Sequence, residues 1–489
     1  MKTCVIIGGG VGGLVTGALL AKEGYQVTVL EKNAIIGGGL QTFKRHGVSF
    51  PTGMHIFGGF QEGGNLRKLF SYLGVLDEIS LRPTDEKASE VVTFASDGKT
   101  YCLPKGKENY IQYLASEFPE EKENIKAYID RLFEISQEED LFYLRETTSE
   151  PSFLSLSEDF INPYNELINK YITNQRLKEL LGYLQPLFGG KEGMTPAFLN
   201  ALLSVLHING VFQFEDGSQQ LAEALKSVIE KGGGQVLAQE EVVKIKVENQ
   251  KVTMVLTQNG KAFSADSYIS DIHPDLLLRI IDEGAFSTAF RKRLNSIPET
   301  VSSFKVYVKF KEKAFPYLNH ANYLVDNQKE WPRSLFYVTP PVRFQGDFAD
   351  TMVIISEMDF EQVRKWEHTR TGHRGEEYEQ WKQEMAAKIL KKLENLYPDF
   401  RDHIEFFFAS SPLTIRDYYG NKEGSNYGFQ KDGHNMMLSQ MSVFTKVKNL
   451  FLTGQNVNIH GLVGVSITAI ETAEALVGHN VVVRKINES

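Results

Sequence analysis

Cysteine is scarce: the 489-residue chain holds two, Cys4 and Cys102, and no CxxC pair. That excludes a disulfide framework and a dithiol redox site, and predicts a reducing compartment. No apolar run reaches the roughly 18 residues that a membrane-spanning helix needs. Excess positive charge is missing too. The net charge is −9 and no basic stripe with interleaved aromatics occurs, so nucleic acid is excluded as a partner. The lysine-rich stretches near 305–313 and 388–392 read as solvated faces. The 11 histidines form no HExxH or comparable carboxylate cluster, so no metal site is expected, and the absence of GxSxG leaves serine-hydrolase chemistry without a motif. Internal repeats and low-complexity linkers are absent as well. The first strand begins at about Lys2, leaving no room for a signal peptide ahead of it, and a cytoplasmic location is expected.

What is there is an ordinary globular composition, 42% hydrophobic and 24% charged, opened by one sharp motif. Cys4 to Ile7 is a short apolar run suited to a buried parallel strand, Gly8, Gly10 and Gly13 form GxGxxG, and Leu14 to Ala21 is helix-forming. Gly8 permits a tight turn, Gly10 lets backbone approach a pyrophosphate, and Gly13 lets helix lie close to strand. The phosphates then meet the free N–H groups of a helix N-terminus. A second strand, Gln26 to Leu30, ends at Glu31, about 20 residues past the glycines, where a carboxylate accepts both hydroxyls of an adenosine ribose. Strand, glycine turn, helix, strand and terminal acid together predict a dinucleotide site.

The rest of the chain returns to that unit twice. A second glycine turn, Gly37-Gly38-Gly39, follows Glu31, and Val48 to His55 is a further close-approach loop. Residues 110–206 read as mostly helical and increasingly aromatic, with Phe153, Phe160, Tyr164, Tyr171, Tyr183, Phe188 and Phe198: a helical cap roofing a pocket. Gln235 to Val243, Lys244 to Val247, Lys251 to Thr257 and Ala262 to Ile269 read as strands, the last three as a meander. Ser302 to Phe310 and Met352 to Met358 alternate as strands, and Glu376 to Leu396 as an amphipathic helix. Asn449 to Gln455 is a buried strand with its turn, and Gly461 opens a helix to about Val477. The expected fold is α/β: a Rossmann-like FAD-binding domain (1–75, 210–275 and 445–489) interleaved with a mixed-sheet substrate domain (76–209 and 276–444) that carries the helical cap.

With the Gly8 to Glu31 fingerprint, Gly37-Gly38, Phe50-Pro51-Thr52-Gly53-Met54-His55, Asp216-Gly217-Ser218, Ser270-Asp271, Ser411-Pro412-Leu413-Thr414, Asn426-Tyr427-Gly428, Leu452-Thr453-Gly454-Gln455 and Gly461-Leu462-Val463-Gly464, nearly the whole chain resembles the flavin amine oxidase and phytoene desaturase superfamily. It is most similar to the all-trans-retinol 13,14-reductase and carotenoid isomerase branch. The resemblance implies non-covalent FAD: Glu31, with Lys32, on the adenosine ribose; Gly8, Gly10, Val11, Gly12 and Gly13 on the pyrophosphate; the Val243 backbone near adenine; Gly454 and Gln455 by the ribityl chain. It further implies Gly464 and Val465 capping the flavin, and Gly38, Gly39, Leu40, Gly53, Met54 and His55 beside it. The chain departs from the pattern at Gly39-Leu40, where the superfamily often has an Arg, and at Gln455, where it often has an acid. The implied activity is desaturation, saturation or isomerisation of an apolar isoprenoid or polyene, and the aromatic cap from Phe153 to Phe198, with no charged recognition cluster, adds an expectation of peripheral contact to the inner face of the membrane. Only one dinucleotide fingerprint is present, so the electron donor or acceptor stays open.

For acting on the substrate the candidates are His55, His460 and Tyr427, each able to position it or transfer a proton. His55 and His460 could equally hydrogen-bond flavin or backbone. His207, on an apolar helix, and His273, capping a turn, have less to recommend them. Two alternatives remain. Flavin amine oxidation would need flavin-facing aromatics, and Asn458-Ile459-His460-Gly461 supplies none; a non-enzymatic prenyl-binding escort of the same fold would have lost the nucleotide glycines, all of which are here.

Overall fold

A computed structural model of the protein describes residues 1–148, 156–328 and 330–489. Apolar runs that sequence marks as strands assemble into a five-stranded parallel sheet in the order Leu450–Leu452, Ser267–Ser270, Thr3–Ile7, Gln26–Leu30, Gln235–Leu237. Parallel strands are covered on both faces, and four of the five residues of Thr3–Ile7 are buried. The helix Val11–Lys22 packs between Gln219–Lys231 and Gly461–Val477. Gly17 makes that approach possible: a Cβ there would lie 2.9 Å from Ile229 Cδ1. The run expected as one strand over Ala262 to Ile269 is two. Ala262–Phe263 closes the antiparallel meander of Val242–Glu248 and Lys251–Thr257, while Ser267–Ser270 leaves it to pair with the first strand. The run Gln235 to Val243 breaks likewise after Leu237, because its first half joins the parallel sheet and Val242 begins the meander.

The second sheet has seven strands, ordered Ile404–Ser410, Ser302–Phe310, Thr351–Met358, Leu335–Val338, Ala321–Val325, Glu90–Phe94, Thr100–Leu103, and only the Ala321–Val325/Glu90–Phe94 pair is parallel. The strand Ser302–Phe310, one in from the edge, is buried on both faces. The helices Lys107–Glu117, Lys122–Ser136, Tyr164–Tyr171, Gln175–Leu181 and Ala197–Ile208 form the cap. Its aromatics divide into two uses. Phe160 and Phe198 stack at 4.6 Å as core, whereas Tyr164, Tyr183 and Phe188 face a cavity. Phe153 lies outside the described residues. Among the described residues, no single helix is long and apolar enough to cross a membrane.

Candidate functional site

The register of the parallel sheet builds the site. Ile7 pairs with Leu30 and with Ser270, and Ser270 pairs with Leu452. The next residue of each strand, Gly8, Glu31, Asp271 and Thr453, therefore emerges at the same carboxyl edge, where open α/β sheets bind ligands. The helix Val11–Lys22 starts at this edge with Gly10 as N-cap, and Gly461–Val477 starts with His460 as N-cap; neither N-cap residue caps its helix with its own side chain. Both N-termini line one cavity of about 1490 Å³, and each offers unpaired donors and the positive end of a helix dipole to an anionic ligand group. That exceeds the roughly 300–1,000 Å³ of a usual small-molecule pocket and has room for a dinucleotide with a second ligand.

The sequence-derived nucleotide residues converge here. Gly8, Gly10, Val11, Gly12, Glu31, Lys32, Gly38, Gly39, Gly53, Met54, His55, Gly454, Gln455, Gly464 and Val465 all line the cavity. Glu31 is buried, its carboxylate accepting Gly9 N–H at 2.9 Å and Asn33 N–H at 2.8 Å. Gly37 N–H donates to Gly9 O at 2.7 Å, and Gly53 and Met54 both donate to Gly39 O, so the three glycine loops form one backbone floor. A side chain on Gly53 would stand 2.9 Å from the Tyr419 hydroxyl. Three expected residues are not on the lining. Gly13 is packed on Gly8, whose carbonyl a Cβ would overlap, so it closes helix onto strand as its spacing requires. Leu40 is fully buried core, its N–H donating to Gly37 O at 3.0 Å and its carbonyl accepting from Ser218 Oγ at 2.8 Å. Val243 is 44% exposed, and Glu241 and Val242 face the cavity in its place.

Asp271 is a residue that sequence reasoning quoted without giving it a role. Its Oδ2 accepts Gly13 N–H at 2.8 Å, and it lines the cavity beneath the glycine turn. Burial, opposed by the Gly13 and Gly10 N–H groups and reinforced by the Glu31 charge, pushes its carboxyl up to about 7. The signal was present: an Asp directly after a buried strand, as Glu31 follows its own. It became readable only once that strand was seen beside Thr3–Ile7.

Beyond the cradle the cavity is walled by Leu199, Leu202, Leu203 and Leu206 of the cap, with Phe188, Phe336 and Ile355. His55, His460 and Tyr427 all line it. His55 is buried with neither ring nitrogen hydrogen-bonded, and burial and the nearby Lys305 charge lower it to about 3. His460 packs against Tyr427 with ring centroids 4.5 Å apart and the planes tilted by 40°; burial and the Lys431 charge lower it to about 4. Burial also holds the Tyr427 phenol well above its ordinary value.

Two further features contradict or escape the sequence reading. Lys305, placed on a solvated face from its lysine-rich neighbourhood, is buried on the cavity wall, donates to Thr52 O at 2.8 Å, and is lowered to about 8 by burial. Its strand is an interior one covered on both sides, which composition does not reveal. The second is a polar cluster where sheet meets cap. Glu90, buried, accepts from Tyr323 at 2.8 Å, from Tyr183, and sits 2.7 Å from His207 Nδ1. Burial would raise the Glu90 carboxyl, but His207 and the two phenols together hold it below its ordinary value. His207, Tyr183 and Tyr323 line the cavity, so His207 is more than a residue of an apolar helix. His273 caps the helix Pro274–Ile280 through Asp275 N–H and pairs with Glu299 at 3.2 Å.

The all-trans-retinol 13,14-reductase of Danio rerio is 24% identical over 534 residues, covering 97% of this chain and 86% of that protein. Prolycopene isomerase 2, chloroplastic, of an Oncidium hybrid cultivar is 25% identical over 449 residues, covering 87% and 74%. The crystal structure of an oxidoreductase from Methanosarcina mazei superposes with a TM-score of 0.68 at 16% identity, over 96% of this chain and 100% of that one, a likeness of fold. The family model for flavin containing amine oxidoreductases matches residues 11–477, and the chain belongs to that family.

Proposed function

We propose that the protein is an FAD-dependent oxidoreductase that desaturates, saturates or isomerises C–C and C=C bonds of an apolar isoprenoid or polyene, with FAD held non-covalently. The observation that carries this is one continuous cavity running from the glycine cradle and Glu31 to a wall of leucine and phenylalanine. When bound, the flavin supplies two-electron hydride chemistry at its N5. The chain supplies the rest. Gly8 to Gly12 and the N-terminus of Val11–Lys22 would seat the diphosphate, Glu31 would take the adenosine ribose, and the Gly461–Val477 N-terminus would stabilise the negative charge that a reduced flavin gains. Lys305 Nζ, near half-protonation at pH 8, holds a proton on the cavity wall, and neutral His55 offers one donor and one acceptor nitrogen. Leucines of the cap exclude water from the reacting bond. Residues 1–75, 210–275 and 445–489 form the cofactor side in this reading, and the remainder the substrate side. A substrate of this kind partitions into lipid, so the protein works at a membrane surface, and flotation with liposomes in the presence and absence of a polyene tests that contact.

Heat-released cofactor is expected to be FAD; FMN, a covalent flavin, or no flavin refutes the proposal. Glu31→Ala is expected to weaken FAD binding by roughly 1–3 kcal/mol, as the loss of buried charged hydrogen bonds requires. The reaction itself is read by anaerobic bleaching or recovery of the flavin band against polyenes, quinones and NAD(P)H. A response to polyamines or amino acids, with none to polyenes, moves the protein to amine oxidation.

A further inference from the structure

We propose that Asp271 is a cofactor-binding residue, held as the neutral acid so that its O–H donates to a diphosphate oxygen of FAD, and that FAD binding therefore takes up a proton. The inference rests on reading the glycine cradle as the diphosphate seat. Its basis is the position of the carboxyl. Oδ2 accepts Gly13 N–H at 2.8 Å; a Cβ on Gly10 would stand 2.8 Å from Oδ2, and one on Gly454 2.5 Å from Oδ1. A Cβ on Gly12 would overlap Oδ1. The carboxyl thus lies within the same backbone cradle that glycine opens for a diphosphate, and the two acid groups must share it.

The charges around Asp271 make ionised sharing unfavourable. From the glycine turn and the first helix it meets the Gly10 and Gly13 N–H groups; from the end of the second strand it meets the Glu31 carboxylate. Gly454, Gln455 and Ile272, from the other two strand ends, carry no charge. Lys32, beside Glu31, turns its Nζ to the Asp417 carbonyl at 2.9 Å. No cation acts on the carboxyl among the described residues. A doubly negative diphosphate therefore meets a buried acid with a second acid behind it, and the low-energy arrangement puts a proton between them. The carboxyl is already raised to about 7 before any phosphate is counted, so the proton is available near neutral pH. The balance is simple: Asp271 enters the complex as COOH, and where the free protein carries the carboxylate one proton is drawn from solvent.

The test is equilibrium FAD release from the full-length holoprotein, read by flavin fluorescence after dilution between pH 6 and 9. One proton taken up makes the wild-type Kd nearly flat below about 7 and then about tenfold weaker per pH unit. Asp271→Asn keeps a neutral donor of the same shape, so its Kd is expected to stay flat across the range and to fall below the wild-type value at pH 9. Asp271→Ala removes the donor and is expected to be flat but weaker at pH 6. A flat wild-type curve overturns the inference without reference to any variant. A slope that survives in Asp271→Asn also overturns it, because the titrating group would then be another, such as Lys305. A holoprotein whose released cofactor is not FAD overturns both this inference and the reading it rests on, while bound FAD with a flat curve overturns this one alone.

Discussion

His55 is neutral throughout the range in which the protein works, because burial and the Lys305 ammonium hold its imidazole down to about 3. A rate profile governed by an ordinary imidazole would step near 6.5. No such step from His55 is expected between pH 5 and 8, and Lys305, lowered to about 8, is expected to give one at the alkaline end. His55→Gln separates two uses of the ring. A loss of about 100-fold or more in turnover with FAD retained marks proton transfer by His55; lost FAD with unchanged turnover per bound flavin marks a hydrogen bond to the cofactor or its loop. Lys305 illustrates why such residues elude a reading of composition. Four lysines between 305 and 313 look alike in the sequence, yet Lys313 is 74% exposed at its side chain and Lys305 is buried, because Lys305 lies within an interior strand covered on both faces and Lys313 in the turn beyond its end.

At the scale of the element, the glycine turn and the sheet edge make different demands. Gly13 cannot carry a side chain, since a Cβ would overlap the Gly8 carbonyl, and backbone cannot yield as a flexible side-chain tip does. Gly13→Ala is expected to force helix and strand apart, abolish retention of flavin, and lower the urea midpoint. The strand Glu90–Phe94 makes its contribution through one buried acceptor. Glu90→Leu would strand the Tyr183 and Tyr323 hydroxyls and the His207 ring, at a cost of about 3 kcal/mol or more, each buried unpaired group costing roughly 1–3. Chemical denaturation measures the loss; Glu90→Gln, which keeps an acceptor oxygen, is expected to lose less. An unchanged midpoint in Glu90→Leu would mean that water replaces the carboxylate.

For the molecule as a whole, buried ionisable groups set the pH dependence of stability, and the sign differs by group. Glu139 and Glu471 are both raised to about 7, by burial first and then by a neighbouring carboxylate. Their folded forms keep protons that the unfolded chain releases from about 4.5 upward, so the folded state is favoured at low pH and loses that advantage as pH rises to about 7. The upper limit for one such shift is roughly 3 kcal/mol. His55 and His460 act in the opposite sense: the unfolded chain binds their protons below about 6.5, and stability falls as pH drops toward 4. Glu471→Gln removes one acid from this balance. Its melting temperature is expected to exceed that of the wild type at pH 8 by a few degrees and to match it at pH 5; an equal effect at both values would show that burial of charge is not the cause.

Sequence by itself determined the parts whose geometry is local. Gly8 to Glu31 is contiguous, each glycine answers to a steric requirement of the turn, and the strand, helix and acid follow within one βαβ unit, so the glycine turn with its buried acid and the α/β fold were legible. So was the second return of the chain, with Gly461–Val477 observed at the ends read from its glycine and its apolar run. Tertiary structure alone decided what depends on residues far apart in the chain. Asp271 is 258 positions from Gly13 and acquires a role only through parallel pairing of Ser267–Ser270 with Cys4–Ile7. His207, on an apolar helix, gains its partner Glu90 at a separation of 117. Lys305 was misplaced because the alternation of a strand tells which residues share a face, but not which faces other layers will cover.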